Sequence, residues 1–347
     1  MPLSEFDFII VGQGLAGSVL ATTLIKRGQR VLVLDNDNLG SSTKVAAGII
    51  NPITGHRLNI SDQFLDYFPI AKAYYYALEL DTKQPLFRTI KQTRLIKNQG
   101  QFNYLQQRLN ETAYQGLLQG SDSSNFDPAE FGVIDIQQTA VVDTKALLSA
   151  TRKWLEARNS YAQYSVNYSE IKVTKTGVSI GRWQAKQIIF CEGYQANKNP
   201  WLAHLPFKLA KGEILTLDLS AKGLDRMLSW GHWLVPDGSN QQSAKLGSNF
   251  IWNDLSLNPS EGSTAKMLDS LKQHTGLHGN VLMHEVGIRP TTTDRKPFIG
   301  PLSKLEKSYC FNGFGSKGCL LVPYYAELMA DHLLLDKTLP EDLRTWV

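Results

Sequence analysis

Gly12-Gln13-Gly14-Leu15-Ala16-Gly17 constrains what this chain can fold into more than any other stretch. A continuous apolar run, Phe8-Ile9-Ile10-Val11, precedes it, and a helical pattern over 18–27 follows. Such a run suits a strand buried on both faces, as in a parallel sheet. Gly28 stands where a helix C-cap glycine belongs, and Val31-Leu32-Val33-Leu34 forms a second buried strand. In this setting Gly12 allows the tight turn, Gly14 lets backbone approach a pyrophosphate, and Gly17 lets helix pack against strand. The helix start, at Leu15 and Ala16, offers free N–H groups and a positive dipole end to phosphates. Asp35 closes the second strand, where an acid bonds ribose hydroxyls and disfavours a 2′-phosphate. The motif does not by itself choose among dinucleotides.

The remaining pattern predicts an α/β chain. Residues 61–80 carry aromatics at helical spacing and predict helices broken at Pro69. A helix over 145–158 is expected with Asp143 or Thr144 as its cap. Strands are expected at 164–168, 171–174, 178–180 and 187–191, then at 207–219, 233–235 and 245–251. A helix over 263–274 with a Ser/Thr cap and a last helix over 323–335 complete the reading. The expected layout is a Rossmann-like cofactor domain, a parallel sheet with helices, from 1–85, 137–205 and 282–347. An α+β substrate domain with an antiparallel sheet would take 86–136 and 206–281.

The 347 residues suffice for two such domains, and 42% hydrophobic with 20% charged residues excludes a disordered chain. A net charge of +4 specifies neither nucleic acid nor membrane, though it favours an anionic ligand. Cys191, Cys310 and Cys319 form no CxxC pair and read as buried free thiols, not disulfides or metal ligands. No metal site is expected. No stretch approaches the ~18 apolar residues of a membrane span, and no basic leader opens the chain. A cytoplasmic protein is the expectation.

Four further segments carry a resemblance. They are Ser41-Ser42-Thr43-Lys44-Val45-Ala46-Ala47-Gly48, Ile188-Ile189-Phe190-Cys191-Glu192-Gly193, Gly287-Ile288-Arg289-Pro290 running on to Asp294 and Ile299-Gly300, and Gly313-Phe314-Gly315-Ser316-Lys317-Gly318. In order and spacing they are similar to the D-amino-acid-oxidase-like FAD-dependent oxidoreductases, within them the glycine oxidase and sarcosine oxidase branch. The resemblance is strongest at both ends and weak over 89–136. It implies FAD, with Ser42, Ala47, Gly48 and Gly193 beside it and Gly313, Gly315, Ser316, Lys317 and Gly318 at the flavin's N1–C2=O2 edge. Gly287 stands where sarcosine oxidases attach FAD to a cysteine, so non-covalent FAD is implied.

The resemblance also makes Arg289 the fork that grips a substrate carboxylate, the alternative being a structural ion pair with Glu285 or Asp294. Lys317 would stabilise charge on the reduced flavin or assist the carboxylate, or else be a solvated surface lysine. His232 and Trp233 would wall the substrate pocket, where relatives commonly place a tyrosine, and Asn51, His56 and Arg57 could face it.

The implied activity is oxidation of the C–N bond of an amino acid or secondary amine carrying a carboxylate, by hydride transfer to flavin N5. Oxygen or another acceptor would reoxidise the flavin. One alternative is removal of a carboxymethyl group from a modified tRNA uridine, which is not favoured without an accompanying methyltransferase domain. Another is a flavin-binding subunit that passes electrons to a partner.

Overall fold

The computed structural model describes residues 5–121, 131–219, 224–238 and 242–344. Its first sheet sets five parallel strands side by side: Tyr161–Gln163, Val31–Asp35, Glu5–Val11, Trp183–Phe190 and Ser308–Asn312. The apolar run at its centre serves two cores. Phe8 and Ile10 point into a cluster with the helices Leu15–Lys26, Phe64–Thr82, Thr144–Glu156 and Gly318–Leu335, whereas Ile9 and Val11 face Leu202 and Phe298 on the other side. Strand alternation with both faces covered is why no polar residue interrupts the run.

The second sheet orders its strands Asn280–Arg289, Ala210–Asp218, Ser243–Gly247, Trp233–Pro236, Met227–Ser229, Gln92–Leu95, Val133–Ile136 and Leu118–Gly120. All neighbours are antiparallel except Met227–Ser229 beside Gln92–Leu95. Helix Ser263–Thr275 covers it, with Met267 and Leu271 packed among Leu215, Leu228, Leu234 and Leu246. Asn280–Arg289 bonds along Ala210–Asp218, so a boundary at 282 would cut through a strand.

Several expectations are corrected. The first helix opens at Leu15, so Gly17 lies in its first turn. Pro69 and Pro323 lie inside continuous helices. Each proline forfeits one ladder bond, a loss of about 3 kcal/mol. Packing of these two helices outweighs it: the Tyr67 and Tyr324 rings lie 4.5 Å apart, and the Tyr75 hydroxyl donates to the Cys319 carbonyl at 2.8 Å. No strand forms at 164–168; the strand is Tyr161–Gln163, and Tyr164, Val166 and Tyr168 line a cavity instead. The strand expected to reach residue 251 ends at Gly247. Helix Ser263–Thr275 starts from Gly262 in a left-handed conformation, not from a side-chain cap. Asp143 does cap Thr144–Glu156, accepting from the Ala146 N–H at 2.9 Å.

Candidate cofactor and substrate site

One cavity of about 1190 Å³ is lined by both sheets. At one end lies the glycine turn. Gly12 has φ 103°, and a Cβ on it would stand 2.5 Å from the Cys191 carbonyl oxygen. A Cβ on Gly17 would collide with the Gly12 carbonyl, so this glycine serves helix–strand contact; it alone of the expected cofactor residues does not line the cavity. Gly14 begins the helix without a side-chain cap, leaving first-turn N–H groups to a ligand, while the Leu15 N–H is taken by the Thr43 hydroxyl at 3.1 Å. Asp35 accepts from the Gln13 N–H at 2.6 Å and the Asp37 N–H at 2.7 Å, which fixes its carboxylate at the strand end. Buried Gln13 in turn donates to the Leu148 carbonyl and accepts from Arg152, tying the turn to helix Thr144–Glu156.

Ser42, Ala47, Gly48, Gly193, Gly313, Gly315, Ser316, Lys317 and Gly318 line the same cavity. They meet there because the chain's ends are neighbours: strand Ser308–Asn312 and strand Glu5–Val11 flank Trp183–Phe190, and helix Leu15–Lys26 packs on Gly318–Leu335. This second helix also lacks a side-chain cap, so its N-terminus offers free N–H groups. Lys317 is half-buried and makes no ion pair among the described residues; burial lowers its pKa, with Asp62 opposing.

Arg289 ends its strand and folds back over Gly212, where an added Cβ would overlap the guanidinium. It donates to the Ser248 hydroxyl at 2.8 Å and the Asn249 carbonyl at 3.2 Å, and stacks 4.1 Å from the Phe250 ring centre. Neither nearby acid pairs with it. Glu285 holds Lys145 at 2.6 Å, and the Asp294 carboxylate caps the Lys296 N–H. Burial lowers the Arg289 pKa to about 10, so it is still cationic at neutral pH. Behind it, buried Glu213 accepts from Asn249 and the Ser260 N–H, and buried Lys211 holds Asp254. Burial would raise the Glu213 pKa, but its hydrogen bonds prevail and hold it at about 2. This network pins the loop that supplies Ser248 and Asn249.

The edge of the Trp233 indole occupies the space that a side chain on Gly247 would need. His232 lines the cavity with its Nδ1 buried and unpartnered, and burial lowers its pKa, with Lys97 and His274 adding to the effect. Asn51 and His56 line the cavity; Arg57 does not. Sequence reasoning missed Gly212 and two cations, Arg94 and Lys97, that also line it, and gave Gln13, Thr43 and Ser248 no individual role. These last three lie in segments that the resemblance does cover.

The FAD dependent oxidoreductase family model, DAO, matches residues 7–332. This chain belongs to that family. The cofactor of this oxidoreductase is therefore FAD, and the uncapped helix N-termini and side-chain-free turn at Gly12 fit its phosphates and backbone approach. A glycine oxidase from Geobacillus kaustophilus shares the fold, with a TM-score of 0.80, 19% identity and 96% of each chain covered. An uncharacterised oxidoreductase YurR of Bacillus subtilis is 24% identical over 97% of both chains. The tRNA 5-methylaminomethyl-2-thiouridine biosynthesis bifunctional protein MnmC of Leptospira interrogans is 23% identical over 95% of this chain and 58% of its own length. The oxidoreductase thus spans little more than half of that relative. Among the described residues no helix is long and apolar enough to cross a membrane.

Proposed function

We propose that this FAD-dependent oxidoreductase oxidises the C–N bond of a small amino acid or secondary amine that carries a carboxylate. The observation behind this reading is Arg289: a cationic fork in the cofactor cavity, held by Ser248 and Asn249 yet without an acid partner among the described residues. A substrate carboxylate completes it, and bidentate bonding then fixes the α-carbon. Bound FAD supplies the hydride acceptor at its N5. His232, kept neutral by burial, adds no positive charge to the pocket, and the substrate amine binds neutral, so the nitrogen's lone pair is available as hydride leaves. Trp233 walls the pocket against water. Lys317 and the N-terminus of helix Gly318–Leu335 favour negative charge at the flavin edge. The cysteines support non-covalent FAD: all three are buried and free, and burial pushes each thiol up, Cys319 to about 12.

Arg289→Ala should raise KM for carboxylate-bearing amines roughly 10- to 100-fold, the loss of a charge-assisted pair worth about 1.5–3 kcal/mol. FAD content, read from absorbance, should stay at its original level. An unchanged KM refutes the anchor. A second reading, a tRNA-borne carboxymethylaminomethyl uridine as substrate, rests on the 95% of this chain matched by the bifunctional relative. Turnover of the modified nucleoside in preference to free amino acids would favour it.

A further inference from the structure

Beside Arg289 the cavity wall is aromatic and open to solvent. Ile251 lies extended there and exchanges both backbone bonds with buried Lys211, at 2.9 and 3.0 Å. In extended chain the residues on either side of it point the same way, so Phe250 and Trp252 share a face. Their ring centres are 6.0 Å apart, with planes inclined by 25°. Both line the cavity, yet 48% of Phe250 and 47% of Trp252 stays exposed. The loop that carries them is held from beneath. Lys211 donates to Asp254 and to the Asn258 carbonyl, and Glu213 accepts from the Ser260 N–H.

From the carboxylate anchor the contacts run outward in order. The Arg289 guanidinium lies 4.1 Å from the Phe250 ring centre, Trp252 comes next, and the Lys208 Nζ stands 4.9 Å from the Trp252 ring centre. Lys208 and Trp252 also line a second cavity, of about 390 Å³. Leu205, Phe207 and Leu255 make the walls of that cavity mostly apolar. Trp252 thus borders two adjoining spaces, one of which contains the anchor. The steps from Arg289 to Phe250 and from Phe250 to Trp252, laid end to end, bound the distance from fork to indole. An aryl ring two carbons beyond a carboxylate on the fork spans it, meeting the indole at about 3.5–4.0 Å. Rings held rigid and facing water at such a site are surface for a ligand's apolar part to cover.

We propose that Phe250 and Trp252 form a subsite for an apolar arm, so that the amine oxidised here carries an aromatic or similarly bulky apolar group besides its carboxylate. This rests on the amine-oxidation reading above. It narrows the substrate class to aryl amino acids or N-arylalkyl amino acids, longer arms passing Trp252 into the second cavity.

The test is titration of the FAD holoenzyme with unreactive acids, read from the perturbation of the flavin's visible spectrum. Propionate is compared with 3-phenylpropionate, which differs only by the ring. The phenyl acid should bind about tenfold tighter or more, the yield of covering one ring. Trp252→Ala should abolish most of that excess and leave propionate binding within about twofold, whereas Trp252→Phe should keep the greater part. 5-Phenylpentanoate, long enough to enter the second cavity, should bind more weakly to Leu255→Asn than to the original protein. A phenyl acid that binds no tighter than propionate would overturn the proposal. So would a Trp252→Ala protein in which both acids weaken alike, the mark of a purely structural tryptophan, or one in which the excess survives, the mark of a ring bound elsewhere. Arg289→Met should weaken every acid. If it spares propionate, the carboxylate anchor fails while a Trp252-dependent excess still supports the apolar subsite.

Discussion

At Gly212 the space of a side chain is filled by the guanidinium of Arg289. A methyl group there displaces only the far end of a flexible side chain. Gly212→Ala should therefore melt close to the original temperature while raising KM for a carboxylate substrate about tenfold or more, the cost of misplacing one charge-assisted bond. Unaltered kinetics would show that the fork's position does not matter. Glu192 gives a second residue-scale expectation. Burial pushes its carboxyl up to about 7, although Tyr168 and Asn199 donate to it. Between its ordinary 4.5 and about 7 the folded protein keeps a proton that the unfolded chain has released. This contribution is full below pH 4.5 and falls away as pH rises to about 7. Glu192→Gln should flatten that decline in thermal melts, and an identical slope would refute it. Arg289 was legible because its Gly-Ile-Arg-Pro setting is a local pattern. Gly212 and Ser248 were not, since their role exists only where three strands meet.

At the scale of elements, helix Leu15–Lys26 stands on its first turn. Gly17→Ala sets a Cβ against the Gly12 carbonyl and must push helix from strand. The variant should purify without FAD, whereas full flavin content would contradict the packing argument. Helix Thr144–Glu156 owes its start to the Asp143 cap, and Asp143→Ala should lower stability in urea unfolding by about 1 kcal/mol. That cap was readable because Asp143 sits immediately before an amphipathic run. Pro69 and Pro323 misled because the packing that carries each helix through its proline comes from the other helix, far away in sequence. Residues 164–168 misled in another way. Tyr164, Val166 and Tyr168 alternate as a strand would, but their shared face borders the ligand cavity, with no pairing strand there.

At the scale of the molecule, strand Trp183–Phe190 is the hinge of the account, since it brings the opening turn and the Gly313–Gly318 loop to one cavity. The parallel core was legible because buried strands must be continuously apolar. The cation-rich far wall was not, because Arg94 and Lys97 lie in a stretch with neither motif nor clear periodicity. The central claim is that this cavity oxidises amines chosen by their carboxylate. Anaerobic mixing of the FAD holoenzyme with carboxylate-bearing amines and with their decarboxylated counterparts tests it directly. The account predicts that the visible flavin band bleaches with the former alone, and that Arg289→Ala abolishes the distinction. Equal bleaching by both sets, or none by either, would contradict it.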